Sequence, residues 1–403
     1  MTAPPPIPPD PALPQLPSLL DPDLMSGVLG RSLAPDLPAP AVRIGYLRYR
    51  PARSLLVGYE VGVADTAREA FALVDAKADL AARAVAPDSA ALVAKLEGRT
   101  PARTPLAYEP DLDALVQWLP LDLALPAMAE PPEQLRDRIV ASGLELEADD
   151  LPRIVKHKPT TRGVLRLNDH IVKAYRDDEA FAEAVRALEA SASLPFPTAE
   201  CTAVVPELLI AAQSLVPGRR PERPAEVAPQ AGALLAALHA TPFDDLPSEL
   251  PRDRLSKAAK HTRLLSSIAP GLGSRLDSLL RRLEADVPGG EPVPSHGGFH
   301  MSQLLQSDGE LGVIDFDGMC LAPAALDVAS YVASLVERPE DLPGAAATLD
   351  VLVEAYGSRP PGVTWYLAAH LLGRARRPFT RFKPGWPDEV EERFAAAEAA
   401  LEL

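Results

Sequence analysis

A chain of 403 residues exceeds one average domain and can bury a sizeable core, so one large or two moderate domains are expected. Its formal charge of −16 argues against a nucleic-acid groove or an anionic membrane surface, and suits a cationic small molecule or partner. No run of about 18 apolar residues is long enough to span a bilayer, and the opening MTAPPPIPPDPALPQLPSLL lacks the pattern of a secretory signal. Cys201 and Cys320 have neither CxxC nor zinc spacing, so two free thiols in a reducing cytoplasm are the expectation.

Residues 1–40 carry prolines every two or three positions without a hydrophobic period, which reads as a polyproline-like or disordered tail open to a protein partner. The stretch VRIGYLRYRPARSLLVGYEVGV, residues 42–63, alternates around Pro51 like a hairpin. Alanine-rich helices are expected over 65–84 and 89–96. A second strand set begins near Leu151 and contains HKPTTRGVLRLNDHIVKAY, residues 157–175. YRPARSLLV and HKPTTRGVL read as two copies of one hairpin opening, which makes 41–145 an α+β domain patterned on the start of the next.

Residues 178–192 form an amphipathic helix with Phe181, Val185 and Leu188 on one face. Two short apolar runs, CTAVV and ELLIAAQSLV, read as strands within 200–216, and PGRRP breaks the pattern at 217–221. Beyond it helices are expected over 225–240, 252–268, 272–286, 322–337, 343–356, 362–376 and 387–402, with the only strands flanking Gly309. The divisions are therefore 1–40, 41–145, 146–218 and 219–403. A small sheet-rich part before a large helical part is an α+β arrangement with a cleft between lobes.

The chemistry concentrates in PSHGGFHMSQLLQSDGELGVIDFDG, residues 294–318, preceded by a strand lysine, Lys173, in DHIVKAY. This order resembles the aminoglycoside phosphotransferase, or choline-kinase-like, family over about residues 150–390. The family shows His-Gly-Asp-x-His-x-x-Asn, then Ile-Asp-Phe/Trp, then Asp-x-Ala. Here those read His296-Gly297-Gly298-Phe299-His300-Met301-Ser302-Gln303, Ile314-Asp315-Phe316-Asp317 and Asp327-Val328-Ala329. The resemblance implies a protein-kinase-like two-lobed fold with an additional N-terminal domain, and ATP- and Mg²⁺-dependent phosphoryl transfer to a hydroxyl of a small molecule.

Phosphoryl transfer needs charge compensation on the triphosphate more than covalent chemistry. Lys173 can supply an ammonium to the phosphates; Glu183 is the favoured carboxylate partner, with Glu179 and Glu189 as alternatives. Asp315 ends an apolar strand, and one carboxylate plus phosphate oxygens suffices for Mg²⁺. Gln303 offers an amide oxygen to the same ion, and Asp317 is a neighbour of the metal or a turn former. His296, with Asp327, is expected to hold the loop. The resemblance puts adenine near Gln213 to Leu215. Arg219 and Arg220 read first as solvated arginines after a turn and second as phosphate or substrate contacts, whereas the basic-aromatic stretch RARRPFTRFKPGW, 374–386, reads equally as a site for an anionic substrate or acidic partner and as a helix cap with packed aromatics.

Gly298 stands where the family has its aspartate base. A positioned base contributes about 10² to 10⁴-fold, so its loss slows transfer without removing nucleotide binding. His300 and a water-relayed Asp317 are candidate substitutes, as is an acceptor that is already acidic. The alternative reading is a pseudokinase that binds nucleotide or metabolite as a regulatory or interaction module.

Overall fold

The computed structural model describes residues 7–35, 37–63, 66–96, 98–243 and 245–403. The chain divides into two compact units: Met1–Phe181 with Thr202–Ala212 and Pro378–Trp386, and Ala182–Cys201 with Gln213–Arg377 and Pro387–Leu403.

The first unit begins with helices α1 (Leu16–Leu19) and α2 (Pro22–Gly30), inside the segment expected to be polyproline-like or disordered. That expectation fails over the described residues because the leucines between the prolines find a surface to cover. Leu13, Leu16, Leu19, Met25 and Leu29 are each no more than 1% exposed. Pro22 occupies the first helical position, where its missing N–H has no partner to lose, and Asp21 caps α2 through the amides of Asp23 and Leu24. The arm is fixed to the sheet by Tyr59, whose hydroxyl donates to Leu19 O at 2.8 Å, and by Asp10, which accepts from Tyr49 Oη at 2.7 Å. Residues 1–6 of that segment lie outside the described residues.

Strands β1 (Ala41–Arg50), β2 (Ser54–Val63) and β3 (Thr66–Asp75) follow, then α3 (Leu80–Ala84), α4 (Pro87–Ala94), β4 (Leu106–Glu109) and β5 (Ala114–Trp118). They form a five-stranded sheet in the order β1-β2-β3-β5-β4. The helix expected over 65–84 is therefore a strand through Asp75. Its alanines favour a helix locally, but β3 pairs with β2 from Val63↔Thr66 to Ser54↔Asp75, and that ladder overrides propensity.

Helix α5 (Pro132–Ala141) precedes β6 (Arg153–Lys158), β7 (Arg162–Leu167) and β8 (His170–Tyr175); α6 (Asp178–Ser191), β9 (Cys201–Val205) and β10 (Ile210–Ser214) follow. The second sheet runs β6-β7-β8-β10-β9, the order of the first. The likeness extends to irregularities. The first strand of each sheet shifts register, at Ile44/Tyr46 and Ile154/Lys156. Each first turn places the residue after its proline at positive φ, Ala52 at 55° and Thr160 at 56°. A 3₁₀ turn ending in a left-handed residue joins the last two strands of each, at Pro110–Leu112 with Asp113 and Pro206–Leu208 with Leu209. A short helix pair also precedes each set of strands, α1 and α2 before the first, the 3₁₀ turn Pro126–Ala129 and α5 before the second.

The second unit carries α7 (Pro224–Ala240), α8 (Pro251–Ile268), α9 (Gly273–Ala285), β11 (Pro292–Ser295), β12 (Leu304–Ser307), β13 (Glu310–Val313) and β14 (Cys320–Pro323). It continues with α10 (Ala325–Ala333), α11 (Leu342–Tyr356), α12 (Val363–Ala375), α13 (Arg377–Thr380) and α14 (Trp386–Ala399). The β12–β13 hairpin turns at Gly309 as expected. A second pairing, β11 with β14, was not, because proline in PVPS and CLAP hides a strand that survives only as a short two-stranded ribbon. That ribbon matters: it joins Ser295 to Cys320 and closes the base of the His-Gly loop.

Candidate functional site

The loop from His296 to Gln303 hangs between β11 and β12, and a buried carboxylate organises it. Asp327, in the first turn of α10 and 0% exposed, accepts from His296 N at 2.6 Å with Oδ2 and from Gly297 N at 3.0 Å with Oδ1. His239 on α7 brings Nε2 to 3.5 Å from Asp327 Oδ2, while its Nδ1 lies 2.9 Å from the Tyr356 hydroxyl on α11. Burial pushes the Asp327 carboxyl up, but hydrogen bonding with His239, the charges of His239 and His296 and the His296 amide outweigh it and hold the group below the usual carboxylate range.

The His296 ring meets another partner. Its Nε2 lies 3.1 Å from Ile314 O, so Nε2 carries the proton, and the ring sits between Phe316 at 4.6 Å and Phe299 at 5.9 Å. Backbone and ring of one residue thus tie the loop to α10 and to the Asp315 strand. Neither His239 nor Tyr356 is legible in the sequence, since nothing marks a lone histidine or tyrosine on an apolar helix as facing a distant aspartate.

Gly297 and Gly298 are glycines for different reasons. Gly297 has φ +80°, and a Cβ there would lie 2.0 Å from Gly318 O, so the turn excludes any side chain. Gly298 has no positive φ, and a Cβ built on it meets nothing within 4 Å. The backbone at 298 tolerates a carboxylate side chain; the sequence does not provide one.

Asp315 stands at the head of the Asp-Phe-Asp turn with φ 71° and ψ 50°, a left-handed conformation costing a non-glycine residue about 1–3 kcal/mol and concentrated at functional positions. Its side chain and that of Asp317 are both partly exposed. Gln303, 7% exposed, accepts from His300 N at 2.9 Å through Oε1, and its backbone O accepts from Ile314 N at 3.0 Å. An amide oxygen has a second lone pair, so that bond leaves one for a cation. Among the described residues no three His, Cys, Asp or Glu side chains cluster as a metal cage; the donors here suit a hard ion that keeps most of its shell as water and ligand oxygen.

His300 is partly buried, with Nδ1 2.9 Å from Ser302 Oγ. Burial holds its ring down at about 4, against a backbone hydrogen bond that acts upward, and His296, Arg374 and Arg377 add to the lowering. It is therefore a neutral, weak base at neutral pH. Cys320 is buried, its thiol pushed up to about 12 by burial, with Asp327 and Glu249 acting the same way; Cys201, the other cysteine, is partly buried.

Lys173 belongs to the first unit. Val172 and Ala174 on either side of it enter the core under the second sheet with Leu135 and Ile139, so alternation sends Lys173, 6% exposed, to the opposite face. The two sheets can be aligned there. Lys173 pairs with Val164, the fifth residue after Pro159; Leu73 pairs with Leu56, the fifth after Pro51. The first sheet thus has leucine where the second has lysine, and Leu73 packs against the buried cluster that contains Leu80, Leu92 and Leu96.

Of the three helical glutamates, Glu183 is partly buried while Glu179 and Glu189 are exposed. Gln213 is 7% exposed and Leu215 partly buried; the chain passes from first to second unit between Ala212 and Gln213. Arg219 bridges Gln306 through backbone bonds of 3.0 and 2.8 Å, and both Arg219 and Arg220 have exposed side chains. The hairpin signal in the first sheet is legible in the sequence, and so is a second one: Gln117, whose Oε1 accepts from Leu123 N at 2.8 Å, matches Gln213 in Pro-x-Leu-x₄-Gln strings that mark the second half of each copy.

Comparison with known proteins agrees with the loop. The phosphotransferase enzyme family matches residues 153–366. Glucosamine kinase of Streptacidiphilus jiangxiensis is 31% identical over 121 residues, which span 28% of this chain and 26% of that protein. A choline/ethanolamine kinase family protein from Mesorhizobium loti superposes with a TM-score of 0.49 at 14% identity, over 67% of this chain and 94% of that one. The aminoglycoside phosphotransferase APH(2″)-IIa, in its complex with streptomycin and ATP, gives 0.47 at 11% identity over 68% and 99%. The family match covers more than half of the chain, from β6 through the His-Gly loop and Asp315 to α12, and the chain belongs to the phosphotransferase enzyme family.

Proposed function

We propose that this protein transfers the terminal phosphoryl group of a nucleoside triphosphate, ATP in the first instance, to a small-molecule acceptor with the help of Mg²⁺. The observation that carries the reading is Asp315: a carboxylate held left-handed at the end of an apolar strand, beside a loop clamped by Asp327. Asp315 and Gln303 would hold the ion, which when bound neutralises charge on the phosphates. Lys173 would compensate phosphate charge from the second sheet, with Glu183 as its carboxylate partner, and Gln213 to Leu215 would meet the base. His296 and Asp327 set the loop's shape.

What the loop lacks is a side-chain base. For a neutral hydroxyl acceptor, including the amino sugar named for the Streptacidiphilus relative, Gly298 predicts transfer slower by about 10² to 10⁴-fold. The same glycine favours a second reading, nucleotide binding without transfer.

The test is thermal denaturation with ATP and Mg²⁺, on the native protein and on Asp315→Ala. A nucleotide-dependent rise in Tm that disappears in the variant supports the site; no rise in either removes it. Single-turnover ADP formation then separates the slow enzyme from the pseudokinase.

A further inference from the structure

Between β3 of the first sheet and β6 and β7 of the second, the first unit holds a cavity of about 370 Å³, within the range of small-ligand sites. Its floor is apolar. Leu165 of β7, Leu135 of α5 and Met128 line it and are each no more than 5% exposed. Met128 lies so close to the second sheet that a Cβ on Gly163 would fall 2.1 Å from its Sδ. The rim is different: Arg68 and Glu69 of β3 are exposed, and Ile154 of β6 is 37% exposed.

The cavity lies behind the face assigned to phosphate. Leu165 pairs with Val172 and shares its core, while the next residue, Lys173, takes the other face of the sheet. The sheet therefore separates whatever the cavity holds from that ammonium.

Arg99 is the lining residue with capacity to spare. It is half-buried, and its Nη1 donates to Ala129 O at 2.7 Å and to Lys95 O at 3.3 Å. Both acceptors are carbonyls. The N–H groups of Nε and Nη2, a fork that fits a carboxylate, find no acceptor among the described residues. Glu130, which also lines the cavity and is 3% exposed, is paired with Lys95 instead. Burial lowers the Arg99 guanidinium from its ordinary value, and Glu133 and Glu130 oppose this through space. With Glu130 balanced by Lys95, the lining carries Arg68 and Arg99 against Glu69, an excess of one positive charge.

We propose that this cavity binds a small amphipathic monocarboxylate, its carboxylate on the Arg99 fork and a short branched aliphatic tail over Met128, Leu135 and Leu165. Two parallel N–H···O bonds fix the head, and the tail leaves water for an apolar floor. One excess cation matches one carboxylate. The site stands apart from the nucleotide, on another face of the sheet, and does not rest on the phosphotransferase reading.

The full chain, without ATP or Mg²⁺, is titrated calorimetrically with isocaproate, α-ketoisocaproate and L-leucine. Isohexanol supplies the tail without the charge, and acetate the charge without the tail. At least one of the three branched carboxylates is expected to bind with a Kd below about 1 mM, and at least tenfold more tightly than either comparison. Arg99→Gln should weaken it at least tenfold, and so should Ile154→Glu, which sets an acid at the exposed rim. If Arg99→Gln fails to fold by circular dichroism, Ile154→Glu carries the test. The inference is overturned if none of the three reaches that Kd, if isohexanol or acetate binds as tightly, or if the affinity is unchanged in either folded variant.

Discussion

The Asp327 carboxylate and the His296 backbone N–H meet at 2.6 Å with neither residue more than 1% exposed. Together with the Gly297 amide, this bond makes one buried side chain responsible for the direction in which the His-Gly loop leaves β11. Asparagine in its place keeps one acceptor and turns a donor toward an amide or toward His239. Asp327→Asn should therefore cost about 1–3 kcal/mol, the penalty of a buried polar group left unsatisfied. The check is the urea midpoint, with the slope unchanged. A midpoint equal to that of the native protein would show that the loop is held by other means.

The neighbouring glycines should respond in opposite ways. Gly297→Ala forces a Cβ into Gly318 O and a side chain onto positive φ, and should destabilise by at least about 2 kcal/mol. Gly298→Asp meets open space and should stay within about 0.5 kcal/mol of the native protein. On a hydroxyl acceptor it should raise turnover by about 10² to 10⁴-fold. Steady-state kinetics of this one variant on a hydroxyl-bearing substrate, against the native chain, decides the matter; a native protein that turns such a substrate over as fast as the variant would refute the account of Gly298.

Much of the loop was legible because its chemistry is local in sequence: His296, Gly297, Asp315 and Asp327 lie within a short span, and an aspartate closing an apolar strand is conspicuous. The partners that fix their geometry were not. His239 and Tyr356 come from α7 and α11, and only the packing of those helices brings them toward Asp327. The first hairpin and its copy could be read from period-two alternation around Pro51 and Pro159. The helices of the proline-rich arm could not, because proline density masks leucines whose burial depends on a sheet formed later in the chain.

Leu73 and Lys173 occupy equivalent positions in two sheets of one order, which makes them a natural exchange. Leu73 is partly buried and packs against a cluster that includes Leu80 of α3 and Leu92 of α4, so Leu73→Lys should cost about 1–3 kcal/mol, read by chemical denaturation. Lys173→Leu suits an apolar-flanked strand and should leave the denaturation midpoint within about 1 kcal/mol, while removing the ATP-dependent rise in Tm. Loss of that rise in Leu73→Lys, with Lys173→Leu unaffected, would assign the nucleotide to the wrong sheet.

Acid should weaken the second unit before it protonates any carboxylate. Burial is the largest influence on His261 and His300, each held down at about 4, and on His370, held well below its ordinary value while 3.2 Å from Leu326 O. The unfolded chain takes up these protons near about 6.5 and the folded chain does not. The neutral, folded state is thus fully favoured above about 6.5, and stability is lost as pH falls from there toward about 4, by up to about 1.4 kcal/mol per pH unit for each ring. Below about 4, Asp327 adds its own loss, because its lowered value in the folded state favours unfolding once the unfolded carboxylate is protonated. Tm measured at constant ionic strength should be flat above about pH 7 and fall steeply below about 6.5. His261→Gln should flatten that fall by one proton's share. A Tm that stays level down to about pH 5 would mean that the three rings take up protons without unfolding the helices around them.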